Sequence, residues 1–469
     1  MSSASEPPAN DESRSSGQND LTESKSFGLG LTTLSALVVA NMIGAGIFTS
    51  SGFSLATLGN PGRVLVAWIV CGVWAICGAM GYAGLVKRLP QSGGEYLFLH
   101  RFVHPSVGFL AGWISVFAGF TAPIAVAALG AAIYMLPGAE EGTTQVKLLA
   151  TGLIVVATVC HLVGLGLGTF MQNLIVVFKL ALIGFTLVWA FGFTDSELWV
   201  GQALPERDAA WLPGSVDAWS AFIGSMSWIA LSYTGFNAAI YVAGESRDAT
   251  RLVPKAMLLA TLLVTVIYLL LNVVYVFAAD PESIAGNPAV AVIATEHIGG
   301  ESLALVVRVS IVLSMASSVF AMLLAGPRVY QKMAEDGVMP QVLQGKVGAP
   351  VAAILVQAVL SIVAVNIADL LQLLKYLGLT LSACGALAVA SLCWVRLKLP
   401  NSMKLHSIEI LSLVVYLGIT ALILAASWYE HHTEFLAMCG TFVLGLLVYG
   451  LWLLVSTGRD KTEPLSDKV

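Results

Sequence analysis

The stretch ANMIGAGIFTSSG, Ala40 to Gly52, lies inside an apolar run of membrane length, yet it carries the weakest helix formers of that run in its middle. Leu29 to Val39 before it and Phe53 to Leu58 after it are mostly apolar. Between them Gly44, Ala45 and Gly46 are followed by Thr49, Ser50, Ser51 and Gly52. A glycine costs a helix about 1 kcal/mol relative to alanine. Backbone freed from helical pairing is tolerated in hydrocarbon only where it lines a cavity or is buried in protein. Two readings follow. The small residues are a packing surface for a neighbouring helix, as glycine often is in membranes, or they mark a break where a ligand reaches the main chain.

The whole chain is built for a bilayer. Of its 469 residues 57% are hydrophobic and only 11% charged, against about 25% charged in a soluble domain. The mean hydropathy is +0.84. Twelve apolar runs reach the length of about 20 residues that a spanning helix needs. They lie at roughly 28–57, 63–86, 104–136, 146–168, 171–193, 214–244, 254–279, 302–327, 350–367, 370–394, 407–428 and 435–456. None alternates like a barrel strand. The expected fold class is therefore an all-α integral membrane protein with twelve transmembrane helices forming one domain over 27–456. Residues 1–26, rich in Ser, Glu, Asp and Pro, have too little apolar content to fold and read as a disordered tail. They lack the basic start and short apolar core of a signal peptide. Residues 457–469 read as a second short tail.

Basic residues orient the chain. With the N-terminus in the cytoplasm, seventeen of the 23 Lys and Arg residues fall on the cytoplasmic side, and only Arg63, Lys147 and Arg207 fall outside. Lys179, Arg308 and Lys375 lie within spans. Both termini are expected to be cytoplasmic, in a cell membrane. The net charge of −5 gives no reason to expect nucleic acid. All six cysteines, Cys71, Cys77, Cys160, Cys384, Cys393 and Cys439, fall within spans, so no disulfide framework is expected. No CxxC, HExxH or His/Cys cluster supports a metal site, and no cofactor is expected.

A second interruption answers the first. The sixth run contains SWIALSYTGFNAAIYVAGE, in which Ser232, Tyr233, Thr234, Gly235, Phe236 and Asn237 break a smooth apolar helix. Secondary transporters often consist of two inverted repeats, each with an interrupted helix at the corresponding place. Here the repeats would span about 28–193 and 214–394, with two more helices over 407–456. An opened helix presents N–H groups, partially positive, at the start of its second half, and C=O groups at the end of its first. Two such breaks facing each other can hold both ends of a zwitterion, which is what an amino-acid backbone is.

On these residues the chain resembles the amino acid–polyamine–organocation (APC) transporter superfamily. MIGAGIF (Met42–Phe48) is similar to the signature of the first span in that family, and SYTGFN (Ser232–Asn237) to that of the sixth. RLPQSGGEY (Arg88–Tyr96) is similar to the loop after the second span, and PRVYQKMAEDGVMP (Pro327–Pro340) to the segment after the eighth. The resemblance covers roughly 27–456. It implies the leucine transporter-type fold of five plus five inverted spans and two more, and amino acid transport by alternating access. It implies that the backbone of Ile43, Gly44, Ala45 and Gly46 holds the substrate carboxylate and part of its ammonium. Ser232, Tyr233 and Gly235 would supply the contacts of the sixth span, and Asn237 matches a polar position just past the break. Many members carry an aromatic lid where this chain has Leu231, with Trp228 and Phe236 beside it.

The charged residues inside spans have competing readings. Lys179, in QNLIVVFKLALIGF, either snorkels to the cytoplasmic surface or, as the resemblance implies, reaches the first break and stands in for a sodium ion. Ser314, Ser317 and Ser318 in the eighth run either border that lysine, at positions where sodium-coupled relatives ligate their ion, or pack helices. Arg308 and Lys375 read as snorkelling to the outer interface. Glu95 and Glu245 read either as cytoplasmic gating carboxylates paired with Arg88, Arg247 or Arg251, or as solvated loop charges. Asn41 either bonds freed carbonyls or packs.

The expected partners are a small amino acid and the lipid bilayer. The third span, GWISVFAGFTAPIAVAALG, and the sixth, SYTGFNAAIYVAG, contain no Asp, Glu, Lys or Arg. A charged substrate side chain would need a buried partner, so a neutral amino acid is expected. The alternative is an exchanger of basic amino acids or polyamines. A channel or membrane-embedded enzyme has no motif to support it. The loop PGAEEGTTQVK between the third and fourth runs has no cysteine, so no disulfide-linked accessory subunit is expected.

Overall fold

The computed structural model describes residues 29–459, apart from 137, 139, 141, 164, 196–198, 200–209, 345–350 and 399–405. The expected tail 1–26 and most of 457–469 lie outside the described residues. Among the described residues the chain is helical. No strand forms, and one isolated bridge joins Leu29 to Ser246.

The first run is broken where its small residues stand. Helix α1 (Leu31–Met42) and helix α2 (Ala45–Leu58) are bent by 41° about Ile43 and Gly44. The turn out of α2 shows how sequence fixes a corner. Gly59 takes the left-handed conformation (φ 68°) and its N–H bonds the Leu55 carbonyl at 2.8 Å, closing α2. Asn60 then caps α3 (Pro61–Arg88) by accepting the Gly62 N–H at 2.7 Å, with Pro61 at the first helical position.

A short helix α4 (Gly94–Phe102) follows the SGG turn and leads to α5 (Pro105–Ile114). This helix continues through a wide π turn over Ser115–Thr121 into α6 (Ala122–Met135). The wide turn is held by side chains. Thr121 Oγ1 donates to the Val116 carbonyl at 2.7 Å and accepts from Gln357 Nε2 at 2.8 Å, and the Tyr330 hydroxyl donates to Gln357 Oε1. Gln357 is fully buried, so these bonds satisfy an amide that would otherwise be stranded.

Helices α7 (Thr144–Val163) and α8 (Leu165–Gly192) complete the first half. The second half opens with α9 (Val216–Tyr233), which breaks at Thr234 and resumes as a tighter 3₁₀ stretch, Ala238–Glu245. Helix α10 (Ala249–Phe277) and the single turn α11 (Pro281–Ile284) lead to α12 (Val290–Glu335), which kinks at Gly300 (φ 68°). Helices α13 (Val351–Ile367), α14 (Leu370–Lys398), α15 (Ser407–Glu430) and α16 (His432–Arg459) finish the chain.

Among the described residues eight helices are long and apolar enough to cross a membrane, counting α5–α6 as one, and the bent pair α1–α2 makes a ninth. The described part of α8 and all of α13 are apolar but shorter. Helix α2 packs along α9, α3 along α10, and α6 and α8 along α12. The span Pro105–Met135 is mostly buried and stands at the centre, whereas α16 is mostly exposed. Leu436, Val443, Leu447, Leu451 and Leu454 form an exposed face on α16 at helical spacing. Such a face suits lipid.

The bundle has two ends. At one, Leu29 bonds the Glu245 carbonyl (2.8 Å), Tyr96 reaches Asp336 (3.0 Å) and Arg88 pairs with the buried Glu409 (3.4 Å). At the other, Gly286 N–H bonds the Gly52 carbonyl (2.8 Å) and Lys147 bonds the Asn366 carbonyl (3.2 Å). Lys375 there lies 3.9 Å from Glu434 and 5.9 Å from the centre of the Trp228 ring, so it is tied to α16 and α9.

Gly378 of α14 lies against the backbone of Ser227 in α9. A Cβ there would stand 2.6 Å from the Ser227 carbonyl carbon. Gly378→Ala is expected to destabilise the bundle by about 1–3 kcal/mol through overpacking, read as a lower melting midpoint in detergent with unchanged helix content below it.

Candidate functional site

The two breaks meet at the centre of the molecule, each placing a glycine against the other's backbone. A Cβ on Gly46 would stand 2.9 Å from Ser232 Cα. Gly235, in the left-handed region at φ 95°, would put a Cβ 2.9 Å from the Asn41 carbonyl carbon. The residue after one break thus packs on the residue before the other, in both directions. Ser50 and Ser232 hydroxyls complete the contact at 3.0 Å. Gly44 differs from Gly46: a Cβ there would meet no atom within 4 Å.

The freed carbonyls of α1 are bound by side chains from two other helices. Lys179 of α8 is buried and donates to the Ile43 carbonyl at 2.7 Å and the Ala40 carbonyl at 3.2 Å. It therefore points into the break and does not snorkel. The Tyr268 hydroxyl of α10 lies 2.5 Å from the Met42 carbonyl and 2.9 Å from the Ser232 carbonyl, one from each break. With one proton for two acceptors, it ties the breaks to each other. A cavity of about 20 Å³ beside Lys179, lined also by Phe48, Thr186, Tyr275 and Ser310, has room for about one water.

Some backbone groups are left over. Among the described residues no hydrogen bond reaches the Asn41, Tyr233 or Thr234 carbonyls. The first N–H groups of α2, from Ala45 onward, have no helical acceptor by construction of a helix. Acceptors and donors therefore lie on either side of Gly44, with Leu231 half-buried nearby. The arrangement can bind an ammonium at one set and a carboxylate at the other.

The remaining expected residues are placed as follows. The Tyr233 side chain is in the core, donating to the Trp68 carbonyl at 3.0 Å, so only its backbone is available to the site. Phe236 is buried among Trp74, Tyr82 and Tyr416. The Asn237 amide donates to Glu95 at 2.9 Å. Ser317 and Ser318 donate to the Ser314 carbonyl on their own helix, at 2.8 and 3.1 Å. Asn41 is exposed and bonds the Leu37 carbonyl one turn back, at 2.9 Å, not a carbonyl of the break.

The half-helix α2 is enclosed: every residue from Ala45 to Leu55 is buried. Tyr134 donates to the Phe48 carbonyl at 2.8 Å and lies 3.1 Å from that of Pro288. Trp228 donates to Ser54 at 2.9 Å and Ser51 to Asn272 at 2.6 Å. In α1, by contrast, only Leu34, Val38, Val39 and Met42 are buried. Beyond the enclosed half, at the Arg63 end, a cavity of about 730 Å³ is lined by Tyr134, Glu140, Glu282, Glu296 and Arg308, which places Arg308 at a vestibule and away from the breaks.

The chain that carries these two facing breaks, with carbonyls bound by Lys179 and Tyr268, matches a family model described as amino acid permease over residues 29–464. The chain belongs to the amino acid permease family. It is 28% identical over 418 residues to the human large neutral amino acids transporter small subunit 2, covering 86% of this chain and 76% of that one. It is 26% identical over 431 residues to the human Asc-type amino acid transporter 1, covering 89% and 80%. It is 27% identical over 275 residues to the mouse b(0,+)-type amino acid transporter 1, covering 56% and 54%. The matched region of this permease includes both breaks and Lys179.

Tyr268 and Asn272 were not singled out in the sequence. Their signal was present: in ATLLVTVIYLLLNVVYVF, Thr261, Thr265, Tyr268 and Asn272 recur at spacings of four, three and four, hence on one helix face.

Lys179→Ala is expected to cut uptake at least tenfold while the protein still inserts and elutes as a single species; near-normal uptake would refute the role of the ammonium in the break. Gly44→Leu, which has room, is expected to abolish substrate binding with little change in melting midpoint. Gly46→Ala, which meets Ser232, is expected to lower that midpoint as well. Binding by scintillation proximity and melting by intrinsic fluorescence separate the two glycines.

Proposed function

We propose that this permease carries a neutral amino acid across the cell membrane by alternating access, with the zwitterion held between the broken first and sixth spans. The observation that carries this is the leftover backbone acceptors and donors on either side of Gly44, beside a position where no side chain intervenes. Twelve spans with both termini cytoplasmic fit the element order, α8, α9 and α13 completing the nine that length and composition identify. The inverted repeat is supported by the reciprocal contact of its two breaks. On this orientation the outer half of the site is closed over α2, and the sparsely packed α1 faces the cytoplasm.

A neutral side chain is favoured because the carboxylate nearest the sixth-span break, Glu95, is already occupied by Tyr82, Asn237 and Tyr241. It is not available to a cationic side chain. A relative named for large neutral amino acids supports the same substrate class. That relative is also named a small subunit. The loop 137–147 of this chain has no cysteine, and we propose no disulfide-linked partner there. Since Lys179 already binds the carbonyls that a cation would share, transport is proposed to be independent of sodium.

The test is uptake into proteoliposomes of labelled leucine, alanine, arginine and putrescine, with and without proton and sodium gradients. Saturable uptake of leucine or alanine, unaffected by sodium, is expected. Uptake of arginine or putrescine in preference to both would overturn the substrate class, and non-saturating flux would overturn the carrier.

A further inference from the structure

We propose that Glu95 is the latch of the cytoplasmic gate: its carboxylate holds the resumed half of the sixth span against α4, and protonation releases it. The inference rests on the alternating-access reading above and names the group that controls one of its two doors.

The loop LPQSGGEY is folded around the stretch Ala238–Glu245. Ser92 Oγ accepts the Gly244 N–H at 2.9 Å. Gly93 and Gly94 both have positive φ, and a Cβ on Gly94 would overlap the Tyr241 ring, so glycine is required for the approach. Glu95 then accepts three hydrogen bonds: from Tyr82 of α3 at 2.6 Å and Asn237 at 2.9 Å on Oε1, and from Tyr241 at 3.2 Å on Oε2. Tyr241 belongs to the resumed segment and Asn237 is its N-cap residue. The far side of α4 is fixed by the bond from Tyr96 to Asp336. Loop and segment are thereby joined at Ser92, Gly94 and Glu95, and Asn237 lies two residues from the Gly235 that packs on the first break.

Among the described residues the carboxylate has no cation. Arg88, one of the three expected partners, is bound to Glu409 and to the Gly84 carbonyl. The titratable groups facing Glu95 are Tyr82 from α3, Tyr241 from the resumed segment, Cys384 from α14 and Tyr416 from α15, all neutral in their ordinary forms. Burial pushes the Glu95 carboxyl above the usual range, and the bonds from Tyr82, Tyr241 and Asn237 pull it partly back. Hydrogen bonds to an ionised acceptor are roughly twice as strong as neutral ones. A proton taken from the cytoplasm therefore weakens the bonds to Oε1 and, placed on Oε2, forces Tyr241 to turn from donor to acceptor.

Glu95→Gln reproduces the protonated form, since its amide oxygen keeps two donors and its NH₂ donates toward Tyr241. Asn237→Asp sets two carboxylates against each other, and Glu95→Gln with Asn237→Asp restores the pair with roles exchanged. The full chain in liposomes is followed by hydrogen exchange of 237–245, corrected for intrinsic pH dependence, and by exchange of labelled leucine. As the pH falls and the carboxyl, raised by burial, takes up its proton, wild-type exchange of this segment is expected to rise about tenfold. Glu95→Gln is expected to exchange fast at every pH. Asn237→Asp should lose transport about tenfold and the double variant should recover most of it. A Glu95→Gln variant with the wild-type pH response, or a double variant no better than Asn237→Asp alone, overturns the latch. Should the Glu95 variants fail to insert, Tyr241→Phe removes one donor and must move the midpoint to higher pH; an unmoved midpoint also overturns it. Hydrogen exchange needs no substrate. A pH-dependent segment without amino acid uptake therefore upholds the latch and refutes transport, and saturable uptake with flat protection does the reverse.

Discussion

The carbonyls freed between Ala40 and Ile43 lie within a membrane-length run, where an unpaired backbone acceptor costs several kcal/mol. They are retained because donors arrive from elsewhere in the chain. An ammonium from α8 binds Ala40 and Ile43, and a phenol from α10 binds Met42. A hydrogen bond to a charged group is worth about 1.5–3 kcal/mol, enough to hold a helix open at one point. The charge on Lys179 is stabilised in turn by the same carbonyls, together with the partial negative end of α1. The break and the buried lysine each lower the cost of the other.

Around this pairing the rest of the centre is set by how closely two backbones can approach. Gly46 against Ser232 and Gly235 against Asn41 form a crossing in which each side chain omitted on one strand of the chain admits the main chain of the other. Tyr268 spans both. The result is a compact junction from which two unequal halves extend. Helix α2 is gripped by Tyr134, Trp228, Asn272 and the Gly286 amide. Helix α1 is attached at its far end by the backbone pairing of Leu29 with Glu245 and Arg247. The permease thus has one half of the broken span fixed and the other comparatively free.

Much of this could be read from sequence because membrane helices obey a small set of rules. The span positions followed from apolar run length, and the first break from Gly44 and Gly46 in such a run. Lys179 has two placements open in the sequence, the cytoplasmic surface or the first break, and its bonds to the Ala40 and Ile43 carbonyls put the ammonium at the break. What could not be read depended on direction. Asn237 has the composition of a binding residue, but its amide turns to Glu95. Ser317 and Ser318 carry hydroxyls that could border Lys179, yet these bond their own helix. Arg88 is one of three arginines expected to pair with Glu95 or Glu245, but the distant Glu409 takes it, a pairing separated by more than three hundred residues that no local pattern contains. Gly44 and Gly46 look alike in sequence and differ only in what lies across from them.

The π turn at Ser115–Thr121 has a consequence for how the half enclosing α2 is aligned. A π turn inserts one residue into an α-helix, and one residue is about 100° of rotation at 3.6 residues per turn. Everything after Thr121 is therefore phased differently from everything before it, and Tyr134 follows at about 20 Å along the axis. The direction in which its hydroxyl points, onto the Phe48 and Pro288 carbonyls, is set by Thr121, Gln357 and Tyr330 near the opposite half of the bundle. The third span works as a keyed shaft: the amide of Gln357 is the key, and the closure over α2 is where the shaft's angle is read.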